Sequence, residues 1–233
     1  LSLDWTARGP FRAGPVELSG DARGSGAITG TVAAPRADLI ADFATVEIPR
    51  LTLSGAHVVL SFLRGPGGTD GAVAITADSQ YGAARARTDF RFAAGGLDLT
   101  GLDADAGGIQ AKGALALRSG QPSTADLVLA IGPGALLTEG SVTGTARIAD
   151  ASGGPRATLA LTARNAALRG AGGLRFAAAT INANGPLERL PLTIDGRGTY
   201  GANPWRFKGG GFFVQREGTT GLALDGEGGF GSA

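Results

Sequence analysis

Residues 84–92, Ala84-Arg85-Ala86-Arg87-Thr88-Asp89-Phe90-Arg91-Phe92, decide how this chain is read. Even positions carry Ala84, Ala86, Thr88, Phe90 and Phe92, and odd positions carry Arg85, Arg87, Asp89 and Arg91. Successive side chains of a β-strand point to opposite faces, so this stretch makes a strand with one apolar and one charged side. Helical periodicity at i, i+3 and i+4 is hard to find anywhere in the chain. The two-residue period instead recurs outward as Leu97/Leu99, Leu115/Leu117, Leu127/Leu129/Ile131, Leu159/Leu161, Leu174/Phe176, Leu190/Leu192/Ile194, Trp205/Phe207 and Leu222/Leu224. Turn signals separate these runs: Gly65-Pro66-Gly67-Gly68, Gly120-Gln121-Pro122, Gly132-Pro133-Gly134, Gly153-Gly154-Pro155, Gly185-Pro186 and Asn203-Pro204. Strands joined by short turns predict an all-β antiparallel meander.

Composition says how such strands close a core. The 233 residues include 41 glycines and 11 prolines, which without pattern would indicate disorder, yet 43% are hydrophobic and fall in ordered runs. A sandwich needs two inner faces of large side chains in contact. Here the apolar positions are often Ala or Gly and aromatics are only 6%, so a dense sandwich core is not expected. The expected fold is a long curled antiparallel sheet whose apolar side lines an interior that is not fully filled, with glycines permitting the bends.

Charge and residue usage exclude several function classes. The net charge is +1, from 21 basic and 20 acidic residues interspersed along the chain, and no basic stripe for nucleic acid is visible. Cysteine is absent, which excludes disulfides and zinc-thiolate sites without fixing a compartment. The uncharged stretch 127–138 is about 12 residues and is interrupted by Gly132-Pro133-Gly134, against about 20 needed to span a bilayer. Leu1 opens directly on a strand pattern with neither a charged n-region nor an apolar h-region, which reads as an internal segment of a longer protein.

Chemistry-bearing motifs are weak. His57, the sole histidine, adjoins Val58-Val59-Leu60 and reads as an ordinary strand residue rather than a member of a triad or a metal ligand. Asp98, Asp103 and Asp105, followed by Gly107-Gly108, match neither an EF-hand nor a nonapeptide calcium repeat and read as solvated turn carboxylates. Residues 226–231 satisfy G-x-G-x-x-G, but only Ser232 and Ala233 follow, too few for the helix a dinucleotide site requires. No carboxylate pair suited to glycoside chemistry stands out. Trp5 and Trp205 read as caps on the rim of a core. The chain is therefore expected to be no enzyme, with no catalytic residue, no metal and no cofactor.

Internal repetition is visible. Gly26-Ala27-Ile28-Thr29-Gly30-Thr31 returns as Gly140-Ser141-Val142-Thr143-Gly144-Thr145, and Ile75 followed by Tyr81-Gly82 returns as Ile194 followed by Tyr200-Gly201. These matches predict two copies of a unit of roughly 115 to 120 residues. Together with residues 75–82 (Ile-Thr-Ala-Asp-Ser-Gln-Tyr-Gly) and 99–115 (Leu-Thr-Gly-Leu-Asp-Ala-Asp-Ala-Gly-Gly-Ile-Gln-Ala-Lys-Gly-Ala-Leu), they give a texture of short alternating phrases ending in glycine. In this the chain resembles TamB and its AsmA-like relatives, long proteins that bridge the two membranes of diderm bacteria.

The resemblance implies a β-taco built of repeated β-grooves, here residues 1–135 and residues 136–233, as one continuous elongated stretch of periplasmic shaft. It implies a hydrophobic groove for phospholipid transport or for assembly of outer-membrane β-barrel proteins, or for both. The implied partners are phospholipid acyl chains, adjacent β-groove repeats and a TamA-like outer-membrane barrel reached through parts of the protein outside this chain; an inner-membrane anchor would also lie outside it. No nucleic acid is involved. The candidate groove lining is Phe90, Phe92, Leu97, Leu99, Leu115, Leu117, Leu127, Leu129, Ile131, Leu159, Leu161, Leu174, Phe176, Leu190, Leu192 and Ile194. The competing expectation is a passive structural or adhesin-type β-solenoid, which repeats every twenty-odd residues, a period not seen here.

Overall fold

The computed structural model describes residues 1–13, 16–48, 51–118, 121–152, 154–216 and 219–231. All regular structure in them is β-strand. The chain parts into two compact units, Leu1–Gln121 and Pro122–Ala233.

The first unit contains β1 (Ser2–Arg8), β2 (Phe11–Ala13), β3 (Val16–Gly30), β4 (Pro35–Ile48), β5 (Leu51–Gly65), β6 (Gly68–Ser79), β7 (Gly82–Ala93), β8 (Gly96–Ala106) and β9 (Ile109–Arg118). The second contains β10 (Gln121–Ile131), β11 (Leu137–Ala149), β12 (Arg156–Leu168), β13 (Leu174–Pro186), β14 (Arg189–Tyr200), β15 (Asn203–Arg216) and β16 (Thr219–Phe230). In each unit the strands pair antiparallel in chain order, with β2 and β1 both lying along β3. Neither unit closes on itself, since β1 does not pair with β9 nor β10 with β16. The expected all-β antiparallel sheet is what the chain forms, and the alternation of residues 84–92 is the alternation of β7.

Directly paired residues of an antiparallel ladder point to the same face, so register carries an apolar side chain in one strand onto its neighbours. Tight turns set that register. Gly65 pairs with Gly68 and Ser79 with Gly82, so β5, β6 and β7 are joined by two-residue hairpins.

One interruption changes which residues share a face. In β8 the pairing with β9 runs Leu97↔Leu117 and Leu99↔Leu115, then breaks and resumes at Leu102↔Gly113 and Ala104↔Ala111. Gly101 sits in the break at φ +61°, a left-handed conformation that side chains rarely adopt. The extra residue flips parity, so the odd positions Leu97 and Leu99 and the even positions Leu102, Ala104 and Ala106 all stand on one side.

The two units carry related rows. Gly24↔Ala41↔Val58↔Ile75 crosses β3 to β6, and Gly144↔Leu161↔Ile181↔Ile194 crosses β11 to β14. Ile75 lies in the first of these rows and Ile194 in the second.

Candidate functional site

In the first unit one row runs Trp5↔Gly24↔Ala41↔Val58↔Ile75↔Ala86↔Ala104↔Ala111 across eight strands without a polar side chain. A parallel row runs Ile28↔Ala37↔Phe62↔Gly71↔Phe90↔Leu99↔Leu115, and the next joins Thr69, Phe92, Leu97 and Leu117. All six expected lining residues of this unit stand on that one face. In the second unit Leu127, Leu159 and Leu192 share a row with Ala146, Ala183, Gly211 and Leu224, while Leu129, Leu161 and Ile194 share one with Gly144, Ile181, Gly209 and Gly226. Ile131 faces Val142, Leu190 faces Phe213, Phe176 faces Gly198 and Leu174 faces Tyr200. Arg64, exposed and opposite Thr69 at the end of β5, is the one charged residue paired into these rows among the described residues.

Burial shows how the face is built. Most of the sixteen expected residues are half-buried; Leu190 is 7% exposed, while Phe92 is 59% exposed. The fully covered positions are mostly small, such as Ala37, Ala56 and Ala84, each set between larger neighbours. The packing is lateral. Val46, Leu51, Leu53, Ala56, Ala77 and Ala84 form one cluster with Phe43, Tyr81 and Ala106 against it, and Ala157, Ala183 and Leu190 form another with Ile148, Leu159, Leu187, Leu192 and Phe213. Large aliphatic side chains thus cover alanines and glycines beside them and keep part of their own surface free. Two large apolar layers meshed together would bury the leucines instead.

Aromatic rings use the glycines. A Cβ on Gly24 would lie 2.4 Å from the Trp5 ring, and one on Gly71 would lie 2.5 Å from the Phe90 ring, so each ring occupies space left by a neighbouring strand's missing side chain. Trp205 is buried and meets Phe176 edge-on at 5.2 Å between ring centroids.

The structure adds Trp5, Val58, Ile75, Phe62 and Leu102 to the apolar face. The run Val58-Val59-Leu60 hides the period of β5, because Val59 stands on the other side, 44% exposed.

That other side carries the charges, and in the first unit they interlock. Arg8 pairs with Asp21, Arg23 with Asp42, Arg91 with Asp70, Arg85 with Asp105, Arg118 with Asp98, and Asp103 with both Arg87 and Lys112. Such exposed pairs each contribute little, about 0–1 kcal/mol. Their larger effect is on register, since a one-residue slip would bring charge onto the apolar face. His57 donates from Nδ1 to Asp42 at 2.7 Å, and this hydrogen bond, with Arg23 beside it, holds the Asp42 carboxyl below its ordinary value. His57 is thus a member of the ladder. Asp98, Asp103 and Asp105 are each paired with a basic residue. No group of three metal-ligating side chains occurs among the described residues. Gly226 and its neighbours form part of β16.

Protein-family models, curated proteins and solved structures were compared with the chain, and none matches it.

Proposed function

We propose that the apolar face of each unit is a hydrophobic groove along which phospholipid acyl chains pass, in a periplasmic shaft segment of a TamB-like bridge between inner and outer membranes. The same face would serve outer-membrane β-barrel assembly by shielding apolar strand faces in transit. One observation carries the reading: the lateral rows on this side, in both units, are free of charge apart from exposed Arg64 opposite Thr69 at the end of β5, while the opposite side is laced with ion pairs.

The energetics fit a conduit. Each acyl CH2 taken out of water is worth about 0.8 kcal/mol, so a lipid tail in the open periplasm costs on the order of 10 kcal/mol. A lining of aliphatic side chains and bare glycine backbone removes most of that cost without gripping any one point. The half-exposed leucines supply surface for tails, and repetition of similar rows keeps affinity even from place to place.

The test is site-specific photocrosslinking in cells, with probes at Phe90, Leu115 and Leu161 on the apolar face and at Arg87 and Thr158 on the other. Phospholipid captured by the first set and not by the second supports the groove. No lipid at any position, or equal capture on both faces, sinks it. Native mass spectrometry of the purified chain provides a second readout through co-purified phospholipid.

A further inference from the structure

At one place on the charged side, two arginines stand directly opposite each other. Arg197 of β14 stands directly opposite Arg206 of β15. Neither forms an ion pair or a side-chain hydrogen bond among the described residues, where this unit's ion pairs join Arg147 to Asp126 and Arg175 to Glu139. Four other arginines have an acid as register partner: Arg23 faces Asp42, Arg85 faces Asp105, Arg87 faces Asp103 and Arg147 faces Asp126. Like charges directly opposite on antiparallel strands work against pairing. The nearest acids in register, Asp195 and Glu227, both stand opposite Lys208.

The surroundings leave room for a ligand. Along the same row Ala178 faces Arg197 from β13 and Gly229 faces Arg206 from β16, so small residues flank the two guanidinium groups. They border an open depression of about 490 Å³, also lined by Ala177, Thr199, Pro204, Trp205 and Phe230. Guanidinium groups present planar forks of N–H donors that match the oxygens of a phosphate group, and two forks side by side supply both the charge and the geometry.

We propose that Arg197 and Arg206 bind a phosphate group, carried by free phosphate or by a phospholipid headgroup, on the face of the sheet opposite the apolar groove. The site stands independently of the groove reading, since it uses side chains of the other face.

The experiment measures binding of inorganic phosphate by calorimetry and, separately, flotation with vesicles of phosphatidylglycerol and phosphatidylcholine against phosphatidylcholine alone. The intact chain is compared with Arg197→Gln, Arg206→Gln and the control Arg87→Gln, which removes the same charge from the paired ladder. Loss of about tenfold or more in the first two and none in the control supports the site. Binding of phosphate without vesicles assigns a soluble source, and binding of phosphatidylglycerol vesicles without phosphate assigns a headgroup. No binding to either, or equal loss in Arg87→Gln, overturns it. Arg206→Glu separates binding from folding, because it places an acid opposite Arg197: loss of binding in a chain at least as stable as the parent supports the site, and retained binding overturns it.

Discussion

Gly144→Ala tests whether the apolar face is built as described. Gly144 of β11 lies between Leu129 and Leu161 in its row. A Cβ there would meet the Ala160 carbonyl oxygen at 1.9 Å and the Leu161 Cα at 2.9 Å. Both are backbone atoms of β12 and cannot swing aside as a side chain would. Carbon reaches ordinary contact near 3.4 Å, so the strands must part by about 1.5 Å locally, enough to break a ladder hydrogen bond. Losing one or two such bonds costs about 0.5–1.5 kcal/mol each, while replacing a strand glycine by alanine recovers about 0.5–1 kcal/mol. With two bonds lost, the midpoints of these ranges leave a net destabilisation of about 1 kcal/mol. The control is Gly132→Ala, where a Cβ meets nothing within 4 Å and the unfolded chain loses freedom, so stability should hold or rise slightly. Urea unfolding followed by circular dichroism, with equal m-values, gives the comparison. If Gly144→Ala is as stable as the parent, the close approach of β11 and β12 is wrong, and the row through Gly144 fails with it.

Leu190→Ala, at a covered position against Ala157 and Ala183, should cost about 2 kcal/mol in the same assay. Phe92→Ala, on the same kind of face but 59% exposed, should cost under about 1 kcal/mol. It should nevertheless reduce lipid capture at Leu115; undiminished capture would count against a role for Phe92 in the lining. Asp42 has its folded-state carboxyl pKa held down, so its stabilising contribution is present above the ordinary value of 3.8 and is lost as pH falls through the lower folded value. Melting temperatures followed downward through this range should converge for the parent and Asp42→Asn; a gap that stays constant at low pH would refute the ladder's part in stability.

Much of this was legible because strand alternation is a direct reading of faces. In β7 the parity of Ala84 to Phe92 is unbroken, and neighbouring strands inherit its apolar side through register. Legibility fails where parity changes. Leu102, Ala104 and Ala106 belong with Leu97 and Leu99 only because Gly101 inserts a bulge, and nothing in Leu99-Thr100-Gly101-Leu102 announces that the glycine turns left-handed. Ala166 reaches the face of Phe176 after Asn165, at φ +47°, for the same reason. The Arg197–Arg206 opposition is invisible until register sets residues nine apart in sequence side by side.

Because within each unit, from β3 onward, the strands pair with their successors in chain order, a whole hairpin is the natural unit of growth. Inserting or removing two consecutive strands returns the chain in its original direction and leaves inside and outside unchanged, whereas a single strand would reverse every later one. Length is then an adjustable quantity in steps of two strands, and a gene encoding this architecture can be extended or shortened by duplication without redesigning either surface.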